Sequence, residues 1–139
     1  MSFDPDLIKQ FVQADLGCQC PEEVFNSMKY ENHVHLEYGF YVDKAITIGD
    51  KLLIFVMNIT KYIEILKILD KLVTHGIAWR DGVGLNRFRL VLITENPKKL
   101  KSEIAGEFNK LKGKDKKAHL HIVSKKEMVK RNYEFLEKE

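Results

Sequence analysis

Two cysteines one residue apart, Cys18 and Cys20 in Leu16-Gly17-Cys18-Gln19-Cys20-Pro21-Glu22-Glu23, are the only thiols in the chain. They stand at what reads as the start of a helix. There, exposed N–H groups stabilise a thiolate, lower its pKa and make it a better nucleophile or metal ligand, an effect that Glu22 and Glu23 oppose. Oxidised, two thiols so close together close a strained ring, and such a disulfide is labile and suited to exchange. Reduced, they chelate a metal that needs two further ligands. His33 and His35, one residue apart on a predicted strand, project from one face and supply them. Cys18, Cys20, His33 and His35 are therefore a candidate tetrahedral zinc set, and Cys18 with Cys20 a candidate redox pair. A plainer use is also open to them, as small buried hydrophobes and as polar groups of a half-exposed strand.

A second group of residues suits anions. Arg80, Arg87 and Arg89 bracket Asp81-Gly82-Val83-Gly84-Leu85-Asn86, and a guanidinium matches phosphate or carboxylate geometry. The Gly-x-Gly in this stretch precedes a strand instead of leading from a strand into a helix, so it is not a dinucleotide-binding turn. In an open parallel sheet, ligands gather beyond the carboxyl ends of the strands, where free helix N–H groups meet anions. Those ends fall at Asn58 with Thr60, Thr94 with Asn96, and Ser124 with Lys125; Thr60, Asn96 and Ser124 are equally the residues expected of plain helix caps. His119 and His121 repeat the His-x-His pattern on the last strand and read as a polar face. His75, beside Gly76, is expected to cap a helix, where an imidazolium meets the negative end of the dipole.

Charge divides the chain. Residues 1–70 carry 6 Lys/Arg against 11 Asp/Glu and residues 71–139 carry 17 against 9, so the net charge of +3 hides a basic second half. Its lysines, in Pro97-Lys98-Lys99-Leu100-Lys101, 110–117 and Lys125-Lys126, attract polyanions without specifying one. The longest apolar run, 52–57, is too short to span a bilayer, and the first residues lack the basic and apolar regions of a secretory signal; a cytoplasmic location with no membrane partner is expected.

The elements that must position these residues follow from periodicity and capping. A first helix is expected over Pro5–Leu16, with Asp4 as N-cap and Leu7, Ile8, Phe11 and Val12 on one face. A short second helix starts at Pro21. Strands are predicted over His33–Tyr41, Lys44–Ile48 and Lys51–Met57, the last two joined by a two-residue turn at Gly49-Asp50. A third helix runs from Ile59 or Thr60 to His75 and stops at Gly76. An irregular stretch, Ile77–Asn86, leads to a strand over Arg87–Thr94. A helix opened by Asn96-Pro97 and ended by Gly113, a strand over Ala118–Val123, and a final helix opened by Ser124 and running toward Phe135 complete the order. The fold class is α/β: one domain over residues 1–139, with a mixed sheet of about five strands, an antiparallel meander followed by β-α-β-α-β, flanked by helices.

The segment Leu16-Gly-Cys-Gln-Cys-Pro-Glu-Glu-Val-Phe25 resembles one, Leu-Gly-Cys-x-Cys-Pro-Glu-Glu-Val-Phe, that recurs in small uncharacterised prokaryotic proteins. The resemblance implies that the thiols are a shared feature and implies no activity. The α-β-β-β-α-β portion is also similar in order to the core of restriction-endonuclease-like folds, which implies an acidic residue on the second strand and acid-x-Lys on the third. The third strand here has neither, and Asp43, Asp50 and Lys51 fall at predicted hairpins, so metal-dependent nuclease chemistry is not expected. No Gly-x-Ser-x-Gly is present, and no helix-turn-helix or aromatic strand motif marks a nucleic-acid binder. Two functions remain: a thiol-centred protein that binds zinc or exchanges electrons through Cys18 and Cys20, and a non-catalytic module that holds an anionic partner, nucleic acid or an acidic protein, on its basic half.

Overall fold

The structure, a computed structural model, describes residues 4–17, 22–59, 62–133 and 136, with only the backbone at 62–64. Helix α1, Pro5–Gln10, continues as a π-helical turn, Phe11–Asp15, and a 3-10 helix covers Glu22–Asn26. Then follow β1 (Met28–Glu37), β2 (Phe40–Ile48), β3 (Leu52–Asn58), α2 (Tyr62–Gly82), β4 (Arg87–Thr94), α3 (Pro97–Lys112), β5 (Ala118–Ser124) and α4 (Lys125–Lys130). The five strands form one sheet in the order β1-β2-β3-β4-β5. The first two pairings are antiparallel and the last two parallel, as the expected meander and crossovers require.

Both faces of the sheet are covered, which is why β3 reads as an unbroken apolar run. Leu53, Phe55 and Met57 face α2 and α3, packing with Ile65, Leu69, Leu72, Ile104 and Phe108. Leu52, Ile54 and Val56 face the opposite layer, where α1 contributes Ile8 and the π-helical turn Phe11 and Val12, and Met128, Tyr133 and Leu136 close over them. The caps read from the chain are present. Asp4 accepts the N–H groups of Asp6 and Leu7, Asn96 accepts that of Lys99, and Ser124 accepts that of Lys126.

Four boundaries differ from expectation. Helix α2 does not stop at Gly76 but runs six residues further, to Gly82. Its end is a Schellman motif: Leu85 N–H donates to Arg80 C=O at 2.8 Å and Gly84 N–H to Asp81 C=O at 3.4 Å, with Gly84 at φ +75°. The predicted irregular stretch is therefore mostly helix, and His75 caps nothing; its Nε2 meets Glu37 Oε1 at 2.8 Å. The first hairpin turns at Tyr38-Gly39, inside the strand expected over His33–Tyr41, because Gly39 supplies φ +76°. This puts Asp43 inside β2, where its carboxylate accepts the Asn58 N–H at 2.8 Å. The second hairpin has Gly49 at φ +58° as expected, but Ile48 pairs with Leu52, so the loop is one residue longer. Lys51 leaves the ladder because its C=O accepts the N–H groups of Asn86 and Arg87, both at 2.8 Å. The final helix ends at Lys130, short of the predicted Phe135, with Asn132 at φ +63°; Phe135 lies outside the described residues.

Candidate anion-binding site

Strand alternation decides which side chains of β4 and β5 share a face. Along β4, Val91 and Ile93 join the core beneath α1 and α4, so Arg87 and Arg89 lie on the same face nearer the strand start. In the parallel register Arg89 stands opposite His119 and Val91 opposite His121. At this end of the sheet the apolar layer thus gives way to a basic and imidazole cluster: Arg87, Arg89, His119 and His121.

Arg89 is 8% exposed, and among the described residues it has no ion-pair partner. One of its terminal nitrogens donates to His121 Nε2 across 2.8 Å, so that imidazole is neutral and carries its proton on Nδ1. The Arg89 Nε and His119 Nε2 atoms are buried with no hydrogen-bond partner. Burial pushes the Arg89 pKa down, and neighbouring Arg87 pushes it the same way. Burial also lowers both imidazoles: His119 with help from Arg89 and Lys112, and His121 to about 4 with help from Arg89 and His119. Proteins seldom bury an arginine without an acid, and here the cationic charge is left uncompensated.

Of this cluster, His119 and His121 line one wall of a groove of about 580 Å³ that follows the outer edge of β5, while Arg87 and Arg89 stand one strand further in, on β4. The other wall is a stripe of α3, Lys98, Lys101, Ala105, Phe108 and Lys112, recurring at three and four residues. The one acidic residue lining it, Asp15, is engaged by Arg131. The local charge is thus strongly positive.

The other residues singled out in the sequence are placed as follows. Arg80, 6% exposed, is consumed internally: its terminal nitrogens donate to both Asp115 oxygens at 2.9 and 2.6 Å and its Nε to Asp81 at 2.9 Å. It is a structural ion pair, which corrects the expectation of an anion ligand. Asn96 and Ser124 spend their side chains as helix caps and Thr94 is 9% exposed, while Asn58 gives its N–H to Asp43. Lys125 sits half-buried at the start of a six-residue helix. Thr60, Cys18 and Cys20 lie outside the described residues. His33 and His35 are exposed on β1 with ring centroids 5.1 Å apart, and His33, at φ +53°, stacks 3.9 Å from Tyr41. Among the described residues, no group of three or more His, Cys, Asp or Glu side chains is arranged to hold a metal, and no helix is long and apolar enough to cross a membrane.

Sequence alone marks His119 and His121 only as a polar face. The signal was present, an Arg-x-Arg strand followed by a His-x-His strand, but only the register brings the two together. Comparison of the chain with protein-family models, curated proteins and solved structures finds no match.

The depressed His121 pKa has a measurable consequence. The imidazole is neutral in the fold down to about pH 4 and protonates near 6.5 when unfolded, so its contribution is whole above pH 6.5 and is lost as pH falls toward 4. After allowance for partial exposure, the loss is about 2 kcal/mol. Urea denaturation between pH 4 and 7.5 should show this slope in the native chain and a flatter one in His121→Gln.

Proposed function

We propose that this protein is a non-catalytic binding module, acting in the cytoplasm, that holds an anionic partner in the basic groove along β5. The observation that carries this reading is Arg89: a nearly buried guanidinium with an orphaned Nε, flanked by Arg87 and by the orphaned Nε2 of His119, and lacking a carboxylate among the described residues. An uncompensated charge of this kind costs stability; Arg89 lies behind the groove and reaches it through its hydrogen bond to His121, so its charge adds to the positive field of Lys98, Lys101 and Lys112, which line the groove directly.

The test separates binding from folding. Arg89→Met removes the buried charge at similar volume, so stability should hold or rise by about 1 kcal/mol, while affinity for inorganic polyphosphate, read by titration calorimetry at low salt, should fall about tenfold. Lys101→Glu with Lys112→Glu should weaken the same binding by a similar factor, with a shallower salt dependence. Polyphosphate affinity unchanged in both variants would end the proposal.

The thiol-centred reading keeps one support in the structure, the adjacent His33 and His35 rings. It predicts about one zinc per chain, or two abnormally reactive thiols, on protein purified without oxygen. Elemental analysis with thiol titration checks this, and metal-free protein with two ordinary thiols would remove it.

A further inference from the structure

The floor of the groove is polypeptide backbone. In a parallel pair, the N–H and C=O of a given residue point to the same side and successive residues alternate. Phe88 N–H donates to Lys117 C=O at 2.9 Å, so the odd-numbered residues of β5 turn toward β4. The even-numbered residues turn outward. Ala118 C=O confirms this by accepting Lys112 Nζ at 3.3 Å. β5 ends the sheet, so the N–H and C=O groups of Leu120 and Ile122 face the groove without a backbone partner among the described residues. Such a row is a template for another strand.

We infer that the anionic partner is an extended acidic peptide, which adds to β5 as a sixth strand beneath the overhang of α3. The inference rests on the anion-binding reading and names its partner class. Seven residues, Ala118–Ser124, form the edge, about 23 Å at 3.3 Å per residue, enough for six or seven residues of a ligand strand. Ala105 leaves room at the middle of the α3 wall, with Phe108 beneath it as apolar contact. Lys98 and Lys101 are exposed beside it and find no ion-pair partner among the described residues, so carboxylates on the incoming strand complement them. A second copy of this chain pairing β5 with β5 would set these lysines against their own counterparts. Nucleic acid would satisfy the charge but not the outward N–H and C=O groups.

The test uses the full chain and three fluorescein-labelled octapeptides alternating valine and glutamate: one unmodified and two with backbone N-methyl groups on alternate residues, in opposite phase. A single-stranded oligonucleotide of equal charge is the fourth probe. Methylation in one phase should lower affinity about tenfold and in the other leave it within about threefold, since two backbone hydrogen bonds are lost in one case only. Leu120 and Ile122 amides should gain protection from hydrogen exchange with the unmodified peptide, and Ala105→Trp, which fills the groove, should abolish peptide binding. If the oligonucleotide binds as well as or better than the peptide and N-methylation has no effect in either phase, the strand inference falls while the anion reading stands. If no probe binds at low salt, both fall.

Discussion

Asp115→Ala is expected to destabilise the protein by about 3 kcal/mol, because it leaves a nearly buried guanidinium without its two-pronged partner. Arg80 and Asp115 are 35 residues apart in sequence and join the last turn of α2 to the turn that precedes β5. The same carboxylate accepts the Lys117 N–H at 2.9 Å, so it also sets the path by which the chain enters β5 and presents His119. Arg80 holds the Asp115 carboxyl below the usual carboxylate range, and Asp115 in turn raises the Arg80 pKa. A carboxyl with a depressed folded pKa stabilises above its unfolded value near 4 and loses that contribution as pH falls through the folded one, so the pair protects the fold at neutral pH and weakens only in acid. Urea denaturation at pH 7 measures the loss. Arg80→Leu combined with Asp115→Leu should cost less than Asp115→Ala alone, because no buried charge is then abandoned. A double variant less stable than the single one would show that the pair's attraction, and not the cost of the orphaned partner, dominates.

Gly76→Ala is the second large effect, and its sign opposes helix propensity. In an exposed helix interior the change would stabilise by about 1 kcal/mol. Here a Cβ on residue 76 would stand 2.1 Å from Phe88 Cζ and 2.4 and 2.5 Å from Cε1 and Cε2. The ring cannot yield: Phe88 is fully buried and packs edge-on against Phe55 with centroids 5.2 Å apart. Helix α2 would have to lift from β4, for a net loss of about 3 kcal/mol. Phe88 immediately precedes Arg89, so the displacement also disturbs the basic cluster. Adding Phe88→Leu should recover part of the loss, and chemical denaturation of the single and double variants reads both numbers. Stabilisation by Gly76→Ala alone would contradict the close approach.

Local chemistry carried much of the architecture. Asp4-Pro5, Asn96-Pro97 and Ser124 begin helices because a side-chain oxygen meets N–H groups two or three residues away, and Gly113 ends α3 with φ +59°. The element order left little freedom over which strands lie parallel. What failed was choosing between glycines that look alike in sequence. Gly76 and Gly84 both follow apolar helical periodicity, yet one is a contact point for Phe88 and the other a left-handed stop. The Tyr38-Gly39 turn was likewise hidden inside a run of strand-forming residues.

The candidate site was legible as residue types and not as a place. The basic half, the Arg-x-Arg and the His-x-His are all in the amino-acid sequence by itself, as are the thiols of Cys18 and Cys20. Which guanidinium is spent on the fold and which is left uncompensated was settled by partners far along the chain: Asp115 reaches Arg80, whereas Arg89 finds His121, 32 residues away. A short hydrogen bond or cap is written into neighbouring residues, but an electrostatic site depends on what strand register and helix packing bring within a few ångströms, and only the tertiary structure decides that.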